Sequence, residues 1–178
     1  RYDWTTPPYI QKGNTLMDID PTTGYKLALA GDYHEVNVTG QIDIGVFDPI
    51  HVILSGDYVK NIGFDEDEVA ERTQASEPIE KEVKGYAYSL SVGYPQVSER
   101  WQWRCFLTKK HLEADAVLDA FTDTAFHAGG TNCEGHIIGV ELGLARNILL
   151  GAQYMQSNEI SGPQLSVDTL QVDLSVKF

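Results

Sequence analysis

Leu170-Gln171-Val172-Asp173-Leu174-Ser175-Val176-Lys177-Phe178 places large apolar side chains at every even position and polar ones at every odd position. Successive side chains of a strand point to opposite faces, so this stretch makes a strand with one apolar and one polar side. The same two-residue period recurs on working back from it. Ile138, Val140, Leu142 and Leu144 alternate with Gly139, Glu141 and Gly143, and Ile148, Leu150, Ala152 and Tyr154 share a face. Trp101, Trp103, Cys105 and Leu107 stand against Gln102, Arg104 and Thr108, and Tyr86, Tyr88, Leu90, Val92 and Tyr94 against Ala87, Ser89, Ser91 and Gly93. Val52, Leu54 and Tyr58 oppose Ser55 and Asp57, while Val36, Val38, Ile42, Ile44 and Val46 oppose Asn37, Thr39, Gln41 and Asp43. Repeated alternation of this kind reads as an all-β chain.

The expected strands cover 25–46, 50–63, 86–94, 100–108, 135–145, 148–157 and 170–178. The first is one long extended stretch whose parity slips near Gly31–His34, where a bulge or bend would restore it. Residues 1–24, with Pro7-Pro8, Gly13, Asn14, Pro21 and Gly24, read as an irregular N-terminal segment, a short strand around 15–19 left open, before a single β domain over 25–178. The polar stretch 64–84 reads as loop, although 65–73 is also compatible with a helix.

The connections alternate in length. Short turns at 47–49, 95–99 and 146–147 fall at one end, and long loops at 64–84, 116–134 and 158–166 at the other. An up-and-down meander between two unlike environments is implied, and transmembrane barrels have this asymmetry. No run of 18 apolar residues occurs, so a transmembrane helix is excluded. Alternating strands can cross a membrane even at a mean hydropathy of −0.25. The aliphatic face carries aromatics toward its ends, namely Tyr58, Tyr86, Tyr94, Trp101, Trp103, Tyr154 and Phe178, as in the girdles at membrane interfaces. The opposite face is small or polar with isolated charges, which suits a wet interior better than a soluble surface.

A net charge of −13 argues against nucleic-acid binding. The acidic run from Asp65 to Glu71 lacks the alternating order of a calcium loop and reads as solvated. Cys105 and Cys133 form neither a disulfide framework nor a metal motif, and His127 with Cys133 is too little for zinc. The five histidines, 34, 51, 111, 127 and 136, make no motif with Ser or Asp, so no enzyme is expected.

A terminal Phe closing an alternating strand resembles the signal that the outer-membrane barrel assembly machinery reads. Leu112-Glu113-Ala114-Asp115-Ala116-Val117, Phe121-Thr122-Asp123, Gly129-Gly130-Thr131-Asn132 and Gly135 resemble the C-terminal region of a putative-porin family. The resemblance covers roughly the last 80 residues and, more loosely, the region from Val36. It implies a bacterial outer-membrane diffusion channel for small hydrophilic solutes, in contact with outer-membrane lipids and without a cofactor. By analogy a homotrimer is the usual assembly.

Seven strands are one short of the smallest bacterial barrel, which needs an even number. Either an eighth lies in residues 1–24, or the chain supplies part of a larger barrel. Arg1 in place of Met fits a removed leader or a piece of a longer chain. Asp43, Asp57, Glu141 and Asp173, with Arg104 and Lys177, are the candidate pore-lining residues. They would either favour cations or form interior salt bridges. The loop carrying Asp119, Asp123 and His127 is a candidate constriction. The competing reading is a small soluble or membrane-anchored barrel that binds a ligand without conducting.

Overall fold

Among the described residues nine strands form, of which the first two pair with each other and the last seven make one antiparallel meander in chain order. These are β1 (Leu16–Asp18), β2 (Leu27–Leu29), β3 (Glu35–Phe47), β4 (Ile50–Asn61), β5 (Lys84–Gly93), β6 (Trp103–Leu112), β7 (Cys133–Ala145), β8 (Ile148–Glu159) and β9 (Ser166–Val176). One helix, α1 (Glu66–Thr73), lies between β4 and β5. The computed structural model of the chain describes residues 5–20, 22 and 26–177. Tyr25 and Phe178 fall outside the described residues, so the expected strand start and the terminal girdle residue do too.

The sheet strands run 10 to 13 residues. Soluble strands centre on about 5–6 residues and membrane-crossing ones on about 9–11. The pairing register joins the apolar positions into continuous rungs. One runs Ile42, Leu54, Leu90, Leu107, Ile138, Tyr154, Leu170, and the next Ile44, Val52, Val92, Cys105, Val140, Ala152, Val172. The band they form crosses the strands obliquely. On β3 to β5 it extends upward through Val38, Tyr58 and Tyr86, whereas on β6 to β9 the rung above Leu107 is already Lys109, His136, Gln156 and Asp168. A level apolar slab must cut tilted strands in this way. The face is bare: Ile138 is 57% exposed although it stands on an interior strand.

Among the described residues the sheet does not close. β3 and β9 are its edges, and β1 pairs with β2 rather than with either. The expected extended stretch over 25–46 is two elements, β2 and β3, so the slip in parity marks a chain break in the sheet rather than a bulge.

The long connections meet at one end and fold together as a cap. Met17, Ala28, Ala30, Phe64, Val69 and Val83 make its apolar centre. The stretch over 65–73, expected as loop, is α1. Its N-cap Asp65 accepts the amides of Asp67 and Glu68 at 3.0 and 3.1 Å. Glu66, Asp67 and Glu68 in its first turn complement the helix dipole. Arg72 pairs with Glu68 and donates to Ala30 O at 2.7 Å, which ties the helix to the segment after β2.

Candidate functional site

The polar face of the sheet carries the candidate pore residues, and the register shows which of them meet. Arg104, Glu141, Gly151 and Asp173 share one rung. Arg104 Nη2 lies 2.7 Å from Glu141 Oε2 and its Nη1 donates to Pro95 O at 3.2 Å, so this cation is fully engaged. Asp43 pairs with His51 at 2.6 Å. Asp57 accepts from Asn37 Nδ2 at 2.6 Å and from Thr39 Oγ1 at 2.9 Å, and Asp173 accepts from Gln171 Nε2 at 2.7 Å. Neutral donors orient these last two carboxylates without cancelling their charge. Lys177 follows β9 beside the 146–147 turn, its amide bonded to Asn147 O at 3.0 Å, and it pairs with no carboxylate among the described residues. Of the expected salt bridges, Arg104–Glu141 is present and a Lys177 bridge is not.

Phe106 projects from the middle of this face. A Cβ at the facing Gly139 would come within 2.3 Å of Phe106 Cζ, so only glycine there leaves room for the ring. A recess of about 400 Å³ lies on each side of the ring, one under Gln153, Gln171 and Asp173, the other under Gln41, Ser55 and Ser89.

Toward the long-connection end the polarity of the two faces inverts. Val59, Leu112, Cys133 and Met155 point to the polar side and are covered by the 113–132 loop, which buries Phe126 and Ala116 against them. Lys110 Nζ sits 4.8 Å over the Phe126 ring. His127 is fully buried, with Nδ1 2.9 Å from Ser157 Oγ and Nε2 3.2 Å from Glu159 Oε2. The loop with Asp119, Asp123 and His127 therefore lies against the polar side of the sheet.

The N-terminal segment clamps this loop from above. Asn14 Nδ2 donates to Ala114 O and Val117 O at 2.7 and 2.9 Å, and Asn14 Oδ1 accepts the Asp119 amide at 2.7 Å. Asp115 is the keystone. It accepts from Thr15 N at 2.9 Å, Thr15 Oγ1 at 2.6 Å and Tyr33 Oη at 2.7 Å. Burial beside Asp115 pushes the Tyr33 hydroxyl far above its usual pKa, so it stays a donor.

His127 gives the loop a pH dependence. Burial depresses its pKa below the ordinary value, outweighing the Glu159 hydrogen bond. Lys12, 3.8 Å from the same Glu159 oxygen, acts in the same direction as burial. Burial thus favours an uncharged imidazole in the docked loop, set between Glu159 and the Ser157 hydroxyl, which also lies 3.1 Å from Val167 O. A depressed folded-state pKa gives stability that is complete above about pH 6.5 and is lost as pH falls below it. Amides of 113–132 should exchange faster at pH 5 than at pH 7.5, after correction for intrinsic rates, and His127→Gln should abolish the difference. Equal protection at both pH values in the unsubstituted protein would refute this.

On the opposite face the aromatics fall into two groups. Tyr58, Tyr86 and Tyr154 stand toward the cap, joined by Tyr88, whose place in this belt the sequence reading passed over. Tyr94, Trp101 and Trp103 stand at the short-turn end, where the Tyr94 amide bonds Trp103 O at 2.9 Å. From Tyr86 to Tyr94 is eight residues, about 27 Å along the strand and about 20 Å along an axis tilted by 40°. Cys105 faces outward and Cys133 is buried under the loop, and both are free.

No curated protein and no solved structure matched this chain. The family model described as a putative porin matches residues 1–178, the whole sequence. An alternating antiparallel sheet with a polar, charge-bearing face and a match of that extent lead to one statement: the chain belongs to the putative-porin family.

Proposed function

We propose that the sheet is part of the wall of an outer-membrane channel that lets small hydrophilic solutes and ions diffuse passively. The bare aliphatic face carries this reading. Rungs of Leu, Ile and Val stand exposed on interior strands between two aromatic belts, a surface that water disfavours and lipid accepts. An open sheet edge does not survive in hydrocarbon, because each unpaired backbone group costs several kcal/mol there. The reading therefore includes further strands that pair with β3 and β9 and close the wall. Its partners are outer-membrane lipids, permeating solutes and the assembly machinery that reads the last strand, with a homotrimer as the working assembly.

The test is conductance of the purified protein in planar lipid bilayers. Stepwise, salt-proportional conductance supports the channel; insertion without conductance supports the competing ligand-binding barrel, in which the docked 113–132 loop seals the interior. Selectivity follows from the wall charges. Asp57 and Asp173 accept from neutral donors, whereas Glu141 is paired with Arg104. Asp57→Asn with Asp173→Asn should move the reversal potential toward zero in a salt gradient, and Glu141→Gln should raise anion permeability by freeing Arg104. Unchanged reversal potentials in both would remove these residues from the ion path.

A further inference from the structure

Three lysines and a histidine of this acidic chain stand close together on the outward face, with Glu113, Glu134 and Asp168 around them. Lys109 and His136 stand opposite each other on the first rung above the aliphatic band, and Lys60 and Lys84 stand opposite each other two rungs higher. Lys60, Lys84 and His136 have no side-chain hydrogen bond or ion pair among the described residues. Lys109 shares Glu134 Oε2 with His111, at 3.3 and 3.2 Å, in a half-exposed contact that another anion can replace.

A groove lies directly beneath. Gly40 and Gly56 occupy the Lys109 rung on β3 and β4 and leave the sheet bare there. A groove of about 710 Å³ results, walled by Ile42, Leu54, Leu90, Leu107 and Tyr88 and topped by Lys109 and His136. It is apolar along its length and cationic at one end, which is the profile of a lipid with a phosphorylated head.

We propose that this groove holds a bisphosphorylated glycolipid of the leaflet on the long-loop side, one acyl chain lying over Gly40 and Gly56. The assignment rests on the channel-wall reading, in which the long loops are extracellular and that leaflet is the outer one. One phosphate sits on Lys109 and His136, the other on Lys60 and Lys84. The two pairs are about 10 Å apart across two strands and about 13 Å along them, and flexible lysine stems shorten that span. A headgroup carrying phosphates at both ends of a disaccharide engages both pairs, whereas a single-phosphate lipid reaches one.

The test is native mass spectrometry of the detergent-extracted protein with three added lipids: bisphosphorylated lipid A, its dephosphorylated form and phosphatidylglycerol. The bisphosphorylated lipid should be retained about ten-fold over the other two. Lys60→Ala with Lys84→Ala should cut retention about as far. Gly40→Leu fills the groove, and since a Cβ at Gly40 meets nothing within 4 Å it leaves the sheet intact, so it too should lower retention. Equal retention of the dephosphorylated lipid, or no effect of either variant, overturns the site. Equal retention of phosphatidylglycerol overturns the bisphosphate assignment. A protein that inserts and conducts but retains no lipid A sinks the lipid site alone, whereas one that fails to insert into vesicles sinks the channel reading beneath it.

Discussion

Asp115→Ala should loosen the cap at a cost of about 4 kcal/mol, large for a single substitution. Asp115 is 2% exposed and is the acceptor for Thr15 N, Thr15 Oγ1 and Tyr33 Oη. Alanine would leave three partly buried donors without their acceptor, and each such group costs about 1–3 kcal/mol, with the sum reduced by local opening and solvent access. Asn14, the Gln11 bonds to Asp119 and the Thr131 amide on Lys12 O would then be left to hold the N-terminal segment on the 113–132 loop. Limited proteolysis should cut within 5–34 and 113–132 in the variant while the strands β3 to β9 stay protected. The backbone oxygen of Asp115, which accepts from Asn61 Nδ2 at 3.0 Å, survives the substitution. Cleavage should therefore stop at the cap. Cleavage patterns identical to those of the unsubstituted protein would show that the cap is held elsewhere.

The second large effect separates the two faces. Val140 lies near the middle of the exposed aliphatic band, and Gln153, on the adjacent strand, lies on the polar face bonded to Gln171 at 3.1 Å. Val140→Arg should destabilise the vesicle-inserted protein by about 2–4 kcal/mol, the cost of an arginine at the bilayer midplane. Gln153→Arg should cost under about 1 kcal/mol, because the polar side supplies water and carboxylates to an added cation. Urea unfolding from lipid vesicles reads both values. Equal losses at the two positions would mean that neither face meets lipid, and a sandwich with a buried aliphatic layer would then fit better.

The sheet was legible because its middle obeys a single rule. Where Ile42, Leu54, Leu90, Leu107 and Ile138 alternate with Gln41, Ser55, Ser89 and Thr108, side-chain parity alone assigns both faces, while the register emerges only in the folded sheet. The rule fails where the environment changes. β6 runs to Leu112 rather than ending near Thr108, because past the band Lys109 and His111 face outward while Leu112 is buried inward under the loop. Parity survives there, but polarity inverts, and a pattern search for outward apolar residues loses the strand.

The cap was not legible for a different reason. α1 has eight residues and buries Val69 alone, too little to show a 3.6-residue period among acidic neighbours. β1 and β2 have three residues each. The contacts that matter join residues about a hundred positions apart, such as Asn14 with Ala114 and Thr15 with Asp115, and no local signal encodes them. His127 stood out in its loop, yet only the folded chain brings Ser157 and Glu159 to it.

Seven successive antiparallel strands have an arithmetic consequence. With an odd number of them, β3 and β9 travel in the same direction. Joined to each other, or to the facing edge of a second copy of the sheet that points the same way through the membrane, they would make a parallel seam. A cylinder that is antiparallel all the way round must therefore add an odd number of strands between β9 and β3, one at the least.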